Sequence, residues 1–204
     1  MQAIEVGKLN NTDPEAVQDC GKEAVVLLSG GIDSAACLAF HQSQNFSSSC
    51  LFINYGQSAA EREYQAASDI SDFYKVPLNH IAVAGFRQWG VGFVPGRNAF
   101  LLHTALMAVT FQKGMVAIGI HSGTAFRDCS DYFLRQVQSS FDVYTEGRIF
   151  ISAPFLHWTK KEIWEYCRTM KVPFELTYSC EAGNDQPCGQ CLSCIDRGFL
   201  IEAR

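Results

Sequence analysis

Short apolar runs alternate with segments of helical periodicity along most of the chain, and this alternation strongly limits the fold. The runs predicted as strands cover residues 25–28, 50–54, 78–83, 116–120 and 149–151. Helices are predicted over residues 34–40, 59–73, 98–111, 131–144 and 159–170. Strands without polar alternation are buried on both faces, as in a parallel sheet covered by helices. We therefore predict a doubly wound α/β fold with a mostly parallel, five-stranded sheet.

The composition supports one globular domain with short additions. The chain has 204 residues, 48% of them hydrophobic, which suffices for a substantial core. We predict a polar extension over residues 1–23, the α/β domain over residues 24–175, and a metal-binding segment over residues 176–204. A net charge of −5 without a basic run argues against direct nucleic-acid binding. No run of about 18 apolar residues is present, which predicts no membrane span.

Nine cysteines in a chain without a secretory signal indicate a reducing, cytoplasmic setting. Five of them are scattered, and we interpret these as small buried hydrophobes. The other four lie close together near the C-terminus: Cys180, Cys188, Cys191 and Cys194. Four thiolates at such short spacings can surround one tetrahedral ion, which favours structural Zn²⁺. An iron–sulfur cluster is the competing interpretation, since similar spacings hold such clusters.

A glycine-rich turn follows the first predicted strand and opens the first helix. It reads Ser29-Gly30-Gly31-Ile32-Asp33-Ser34. Glycines allow close backbone approach to a ligand, and amides at a helix start bind anions. The turn lacks the Gly-Lys-Ser/Thr of a Walker loop and is not Gly-x-Gly-x-x-Gly. A plain turn with Asp33 or Ser34 as helix N-cap is the structural alternative.

This turn resembles the pyrophosphate loop of the ATP-pyrophosphatase (N-type, PP-loop) superfamily. The resemblance implies an adenine nucleotide alpha-hydrolase-like (HUP type) fold. It implies that the six residues 29–34 bind the β- and γ-phosphates of ATP. In that superfamily the α-phosphate is attacked and pyrophosphate is released, so Asp33 and Ser34 are expected to be catalytic.

Further motifs resemble the QueC family of 7-cyano-7-deazaguanine synthases. They are Tyr55-Gly56-Gln57, Pro95-Gly96-Arg97-Asn98, Asp128-Cys129 and the four clustered cysteines. The resemblance implies an ATP-dependent C–N ligase of queuosine-type biosynthesis. It would convert 7-carboxy-7-deazaguanine and ammonia into the nitrile, with Mg²⁺, structural Zn²⁺ and a homodimeric state. Tyr55, Gln57, Arg97 and Asn98 are then expected to bind ATP, and Arg97 is also expected to be catalytic.

Several of these residues have simpler alternative roles. Arg97 suits bidentate binding of a carboxylate or phosphate, but a surface ion pair is the alternative. Asn98 either belongs to the site or caps the following helix. Asp128 either accepts from a ring N–H of the deazaguanine or caps the helix near residue 131. His121 is expected to line the substrate pocket or to pack. Arg197 is expected to pair with a thiolate or a phosphate.

Departures from the family pattern fall on the part of the site that is expected to bind the deazaguanine, the acceptor of the adenylyl group. Ser58-Ala59 stands where the family has Arg-His, and His121-Ser122-Gly123 stands where it has an acidic stretch. The nucleotide motifs are intact, so ATP use is predicted more securely than the product. A second hypothesis is therefore transfer of the deazaguanine acyl group to another amine, for example on a protein. An RNA sulfurtransferase and an ATP-binding regulatory module are further alternatives.

Overall fold

The computed structural model describes residues 21–85, 92–124 and 126–202, without the side chains of residues 199–202. Most of the predicted N-terminal extension lies outside these residues. Five strands are present: β1 (Glu23–Leu27), β2 (Ser47–Asn54), β3 (Leu78–Ala82), β4 (Gly114–Ile118) and β5 (Ile149–Ser152). The helices are α1 (Ile32–Ser43), α2 (Ala60–Tyr74), α3 (Arg97–Ala108), α4 (Asp131–Thr145), α5 (Lys160–Thr169) and α6 (Leu192–Glu202).

All strand pairs of the sheet are parallel, in the order β3-β2-β1-β4-β5. At the centre of the sheet, Leu27 pairs with Leu51 on one side and Ile118 on the other. The carboxyl ends of β1, β2 and β4 therefore meet at one edge. The chain leaves β1 toward β2 and β3 and later returns to the other side through β4. Such a switch point leaves a crevice where doubly wound proteins bind ligands.

The two faces of the sheet are buried by different helices, because successive strand residues point to opposite sides. Ala24 and Val26 of β1 belong to the core beneath α1 and α5. Val25 and Leu27 belong to the opposite core, beneath α3 and α4. Helix α1 is the most enclosed helix, with all residues from Ser34 to His41 buried. The predicted fold class, a doubly wound five-stranded parallel sheet, is confirmed.

The structure differs from the sequence predictions at several element ends. Helix α3 ends at Ala108 rather than at residue 111, because Val109 is extended and the Phe111 ring packs on Gly114 at the start of β4. Strand β1 begins at Glu23, one residue before the predicted domain start. A 3-10 turn at Phe174–Leu176 and helix α6 were not predicted. None of the helices in the described part of the chain is long and apolar enough to cross a membrane.

Candidate active site

The glycine-rich turn lies at the carboxyl end of β1, next to the switch point. Gly30 has φ +81°, and a Cβ there would lie 2.5 Å from the Glu63 carbonyl oxygen, so only glycine fits. Gly31 is the N-cap of α1 and no side chain caps this helix. The Ser34 hydroxyl donates to the Gly31 carbonyl at 2.8 Å. The alternative role of Asp33 or Ser34 as N-cap is therefore wrong, and the first-turn amides remain available to an anion.

Asp33 joins this turn to helix α5. Its Oδ2 accepts a hydrogen bond from Lys160 Nζ at 2.5 Å, and both side chains are about three-quarters buried. Its Oδ1 is buried and has no hydrogen-bond partner among the described residues. Lys160 is the first residue of α5 and lies between Thr159 and Glu162, the two residues of the capping box. An oriented carboxylate with one unsatisfied oxygen beside an anion-binding turn fits a Mg²⁺ ion carried by ATP.

The turn after β2 orients a second carboxylate in the site, that of Glu63 in the first turn of α2. Gln57 Oε1 accepts from the Tyr55 amide at 2.9 Å, and Gln57 Nε2 donates to the Ile53 carbonyl at 3.3 Å. The same Nε2 donates to Glu63 Oε2 at 2.9 Å. Burial raises the pKa of the Tyr55 hydroxyl, and a hydrogen bond with Arg97 opposes that rise.

Arg97 and Asn98 are the first two residues of helix α3, which also lines the site. Gly96 is the N-cap of α3, so Asn98 does not cap it. Asn98 is buried, and its Oδ1 accepts from Arg97 Nε at 3.2 Å. Its Nδ2 donates to the Asp128 carbonyl at 3.1 Å. Asn98 therefore orients Arg97 and fixes the loop that carries Asp128.

Asp128 is not a helix cap either. Helix α4 begins after Ser130, whose hydroxyl accepts from the Phe133 amide at 3.3 Å. The Asp128 side chain is half-buried and makes no ion pair among the described residues. The alternative role of Asp128, as the cap of the helix near residue 131, is therefore wrong.

His121 follows β4 and lies near the Asp33–Lys160 pair. The residue is buried, and its Nδ1 has no hydrogen-bond partner among the described residues. A Cβ at Gly123 would lie 2.9 Å from this nitrogen, so the glycine leaves room for the ring. Burial lowers the pKa of His121, while the charge of Asp33 opposes the shift and that of Lys160 adds to it.

A cleft opens between these elements at the carboxyl edge of the sheet. Apolar residues of β1, β2 and β4 form its walls, among them Leu28, Phe52 and Ile118. Polar groups from the predicted site line its rim: Ser29, Ser34, Tyr55, Gln57, Arg97 and Asn98. Asp33, His121 and Asp128 do not line this cleft and lie next to it. The cleft can accept a flat heterocycle with a charged group attached.

The four clustered cysteines converge on one point. The sulfur atoms of Cys180, Cys188, Cys191 and Cys194 all lie within 4.8 Å of one another. The first three come from the loop before α6, and Cys194 lies in the first turn of that helix. Four convergent sulfur ligands form a closed tetrahedral set, which fits a structural metal ion. The structure thus supports the predicted metal site without identifying the metal.

The cysteine segment also contacts the loops of the active site. The Tyr178 amide donates to the Gly30 carbonyl at 2.9 Å. Gly183, with φ +75°, packs so closely on Ser58 that a Cβ would lie 2.4 Å from its carbonyl oxygen. Glu181 accepts from the Gly92 amide at 3.0 Å, in the loop before Arg97. The metal segment therefore supports three loops of the site.

Arg197 has a different role from the predicted ones. Its guanidinium donates to the Thr177 carbonyl at 2.9 Å and to the Ser179 hydroxyl at 3.1 Å. It also stacks on the Phe174 ring, 4.2 Å from the ring centre. Arg197 thus anchors α6 to the preceding segment, and no contact with a thiolate or an anion is needed to explain it.

Comparison with known proteins identifies the family. The family model described as "Queuosine biosynthesis protein QueC" matches residues 23–92 and 87–201. The chain belongs to the QueC family. This QueC family member is 30% identical to a 7-cyano-7-deazaguanine synthase of Nautilia profundicola, over 85% of this chain and 90% of that protein. It is 32% identical to the synthase of Haloarcula marismortui, over 88% and 89%.

Solved structures confirm the fold of this QueC family member. A 4-thiouridine synthetase in complex with RNA and ATP superposes with a TM-score of 0.53 and 18% identity, covering 89% of this chain and 50% of that one. The U34-tRNA thiolase NcsA of Methanococcus maripaludis, solved with its [4Fe-4S] cluster, gives 0.51 and 13%, covering 93% and 69%. At these identities the likeness concerns the fold alone.

Sequence reasoning missed three side chains of the QueC site. Lys160 could have been found, because a helix that follows β5 starts at the same edge of the sheet as the glycine-rich turn. Glu63 was not predicted, because it stands among other charged residues at the start of α2, such as the exposed Glu61. Glu181 had no sequence signal, since its role depends on how the cysteine segment folds back.

Proposed function

We propose that this QueC family member is a 7-cyano-7-deazaguanine synthase. It adenylates the carboxylate of 7-carboxy-7-deazaguanine with ATP, captures the acyl group with ammonia and dehydrates the amide to the nitrile. The observation that carries the proposal is Asp33: its carboxylate is oriented by Lys160, retains an unsatisfied buried oxygen, and lies beside an uncapped helix N-terminus. The names of the relatives supply the substrate.

Adenylation requires the triphosphate to be fixed while its α-phosphorus is attacked. The amides and hydroxyls of residues 29–34 bind the β- and γ-phosphates, and Lys160 adds a positive charge. Tyr55, Gln57 and Asn98 complete the nucleotide side, and Arg97 holds the reacting carboxylate or the α-phosphate. Mg²⁺ bound through Asp33 Oδ1 would neutralise charge on the leaving pyrophosphate. The carboxylate oxygen forms a bond to the α-phosphorus as the bond to pyrophosphate breaks.

Two further steps complete the reaction. Ammonia attacks the acyl carbon, the C–O bond to AMP breaks, and a proton leaves the new amide. The amide oxygen then attacks the α-phosphorus of a second ATP, and the bond to pyrophosphate breaks. The amide nitrogen loses two protons as the C–O bond to the adenylate breaks, which leaves the nitrile and AMP. His121 and Asp128 belong to the acceptor side, where Asp128 accepts from the pyrrole N–H of the free base.

The metal site is proposed to hold Zn²⁺. Four sulfur ligands leave no open position for chemistry, and a closed set suits a structural ion. Metal analysis of the purified protein is the test: one zinc per chain without visible absorption is expected. Iron with acid-labile sulfide would instead indicate a cluster. The homodimer implied by the family resemblance stays a prediction.

Product analysis tests the function directly. The protein is incubated with 7-carboxy-7-deazaguanine, ATP and an ammonium salt, and the products are identified by mass spectrometry. A nitrile is expected, together with AMP and pyrophosphate. An amide that forms with an added amine but does not proceed to the nitrile would favour the acyl-transfer hypothesis. The absence of any deazaguanine product would contradict both.

A further inference from the structure

The cysteine segment, residues 177–194, has little apolar core apart from its cysteines. Its buried cluster is separate from the two cores that cover the sheet and comprises Cys180, Cys191 and Cys194, with Tyr178, Ala182 and Cys188 packed against it. So small a cluster does not order a segment of this length by itself, and segments of this kind gain their order from a bound metal ion. The position of the segment is therefore expected to depend on whether the four sulfur ligands hold a metal ion.

One peptide group of the glycine-rich turn is held by this segment. The Tyr178 amide donates to the Gly30 carbonyl at 2.9 Å. Because a peptide group is planar, the bond that holds the Gly30 carbonyl also sets the direction of the Gly31 amide, which belongs to the same peptide. Both flanking residues are glycines, so this peptide rotates easily when the bond is absent. Gly31 is the N-cap of α1, and Tyr178 therefore positions an amide at the anion-binding end of that helix.

A ligand of the metal site lies between this contact and a second one. Cys180 follows Tyr178 by two residues, and Gly183 packs on the turn after β2. A Cβ at Gly183 would lie 2.4 Å from the Ser58 carbonyl oxygen and 3.2 Å from the Ala59 Cα. Residues 178–183 thus contact two loops of the site, one on each side of Cys180. A metal ion bound through Cys180 therefore holds Tyr178 in place against Gly30.

From these contacts we propose that the sulfur site and the nucleotide site are coupled, so that the metal ion and ATP each bind more tightly when the other is bound. The hydrogen bond from Tyr178 to Gly30 transmits the effect, because it orients the Gly31 amide only while the cysteine segment is docked. The inference rests on the proposed function, which assigns the β- and γ-phosphates to residues 29–34. Coupling of this kind is reciprocal and typically changes affinity by roughly 5- to 150-fold.

Titration calorimetry with two nucleotides tests the coupling. The Kd of ATP with Mg²⁺ and the Kd of AMP are measured for the zinc-loaded protein and for protein depleted of zinc by a chelator. Depletion should weaken ATP by roughly 5- to 150-fold and AMP by less than about threefold, because AMP lacks the phosphates that the turn binds. Saturating ATP, with Mg²⁺ in excess, should raise the chelator concentration that removes half of the zinc by the same factor.

A pair of substitutions at Tyr178 separates its amide from its side chain. Tyr178→Pro removes the N–H that donates to Gly30, and Thr177 already has the extended backbone that a residue before proline requires. Tyr178→Ala loses the same ring but keeps the amide, so it is the matched control. With zinc bound, Tyr178→Pro should weaken ATP by about the factor that zinc depletion gives in the wild type. Tyr178→Ala should bind ATP like the wild type, and both variants should retain their zinc.

Three results would overturn the inference. They are an equal Kd of ATP in the loaded and depleted protein, an equal loss of ATP and AMP on depletion, and an equal Kd of ATP in Tyr178→Pro and Tyr178→Ala. Failure of the wild type to form the nitrile contradicts the proposed function, whereas these binding results bear on the coupling alone.

Discussion

The two carboxylate oxygens of Asp33 have different surroundings, and this difference sets the role of the residue. Oδ2 is paired with Lys160, while Oδ1 is buried without a partner among the described residues. A helix cap would use its oxygens on the α1 backbone, which Asp33 does not do. The side chain is therefore arranged for a ligand and contributes little to the helix itself.

Replacement of Asp33 by alanine should abolish adenylation with little loss of stability. ATP–pyrophosphate exchange should fall at least about a hundredfold, because charge stabilisation at a leaving group is worth that much. The melting temperature should change little, since the freed Lys160 can extend toward water. Asp185→Ala is the matched control, because Asp185 pairs with Arg62 on the exposed surface. Exchange near the wild-type rate in Asp33→Ala would contradict the assignment.

A separate prediction concerns the binding of 7-carboxy-7-deazaguanine, the acceptor substrate, by Asp128. Asp128→Asn should weaken 7-carboxy-7-deazaguanine by roughly ten- to a hundredfold and leave ATP binding nearly unchanged. Thermal melting with and without the acceptor measures this effect. The shift in melting temperature caused by the acceptor should disappear, while the melt of the free protein stays the same. A shift of wild-type size would show that Asp128 does not bind the base.

At the level of helices and strands, the features that depend on local sequence pattern could be predicted, such as the strands and the start of α5. The apolar runs became strands, and the helix predicted from residue 159 is α5, which begins at the capping box of Thr159 and Glu162. The roles of Asn98 and Asp128 as caps were wrong, because Gly96 and Ser130 precede the helices. Helix α6 was missed, since the anchoring by Arg197 and the convergence of the cysteines arise only in the folded chain.

The anchor of α6 can be tested through Arg197. Arg197→Lys should lower the free energy of unfolding by about 1–3 kcal/mol, because an ammonium cannot replace the planar set of donors and the stacking on Phe174. The Kd of ATP should stay the same. Arg168→Lys, on the last turn of α5, is the control. A selective loss of ATP affinity in Arg197→Lys would return this residue to the phosphate site.

His41, a residue of α1 that contacts β5, makes stability depend on pH. Its Nδ1 contacts the Cys37 carbonyl at 2.8 Å and its Nε2 the Ser152 hydroxyl at 3.0 Å. Burial lowers the pKa of His41 to about 4 from 6.5. The unfolded chain therefore takes up a proton first, and stability falls as the pH drops from about 6.5 to 4, by on the order of 3 kcal/mol.

Denaturant unfolding at several pH values measures this effect. The wild type should lose stability through that window, and His41→Gln should show a flatter dependence even though it is less stable at pH 7. His157→Gln, at an exposed histidine, should follow the wild-type curve. Parallel curves for the wild type and His41→Gln would contradict the assignment.

At the level of the whole molecule, the cysteine segment connects the metal site to catalysis. Cys191→Ser should remove the metal and lower the stability of the entire chain, because metal binding contributes to the folding free energy. Metal content and cooperative unfolding are measured together. Cys167→Ser, at a buried cysteine outside the cluster, should destabilise the core but retain the metal. Cooperative, fully stable folding of Cys191→Ser without metal would contradict a structural role.

The hydrogen bond from Tyr178 to Gly30 also has a consequence for the order of events during folding. The glycine-rich turn is made early in synthesis, whereas its partner amide emerges only after all five strands have been translated. Contacts between such distant parts of a chain form late, because closing long loops costs entropy. The nucleotide site therefore reaches its final form only when the cysteine segment has docked, so nascent chains should not bind ATP in the native way.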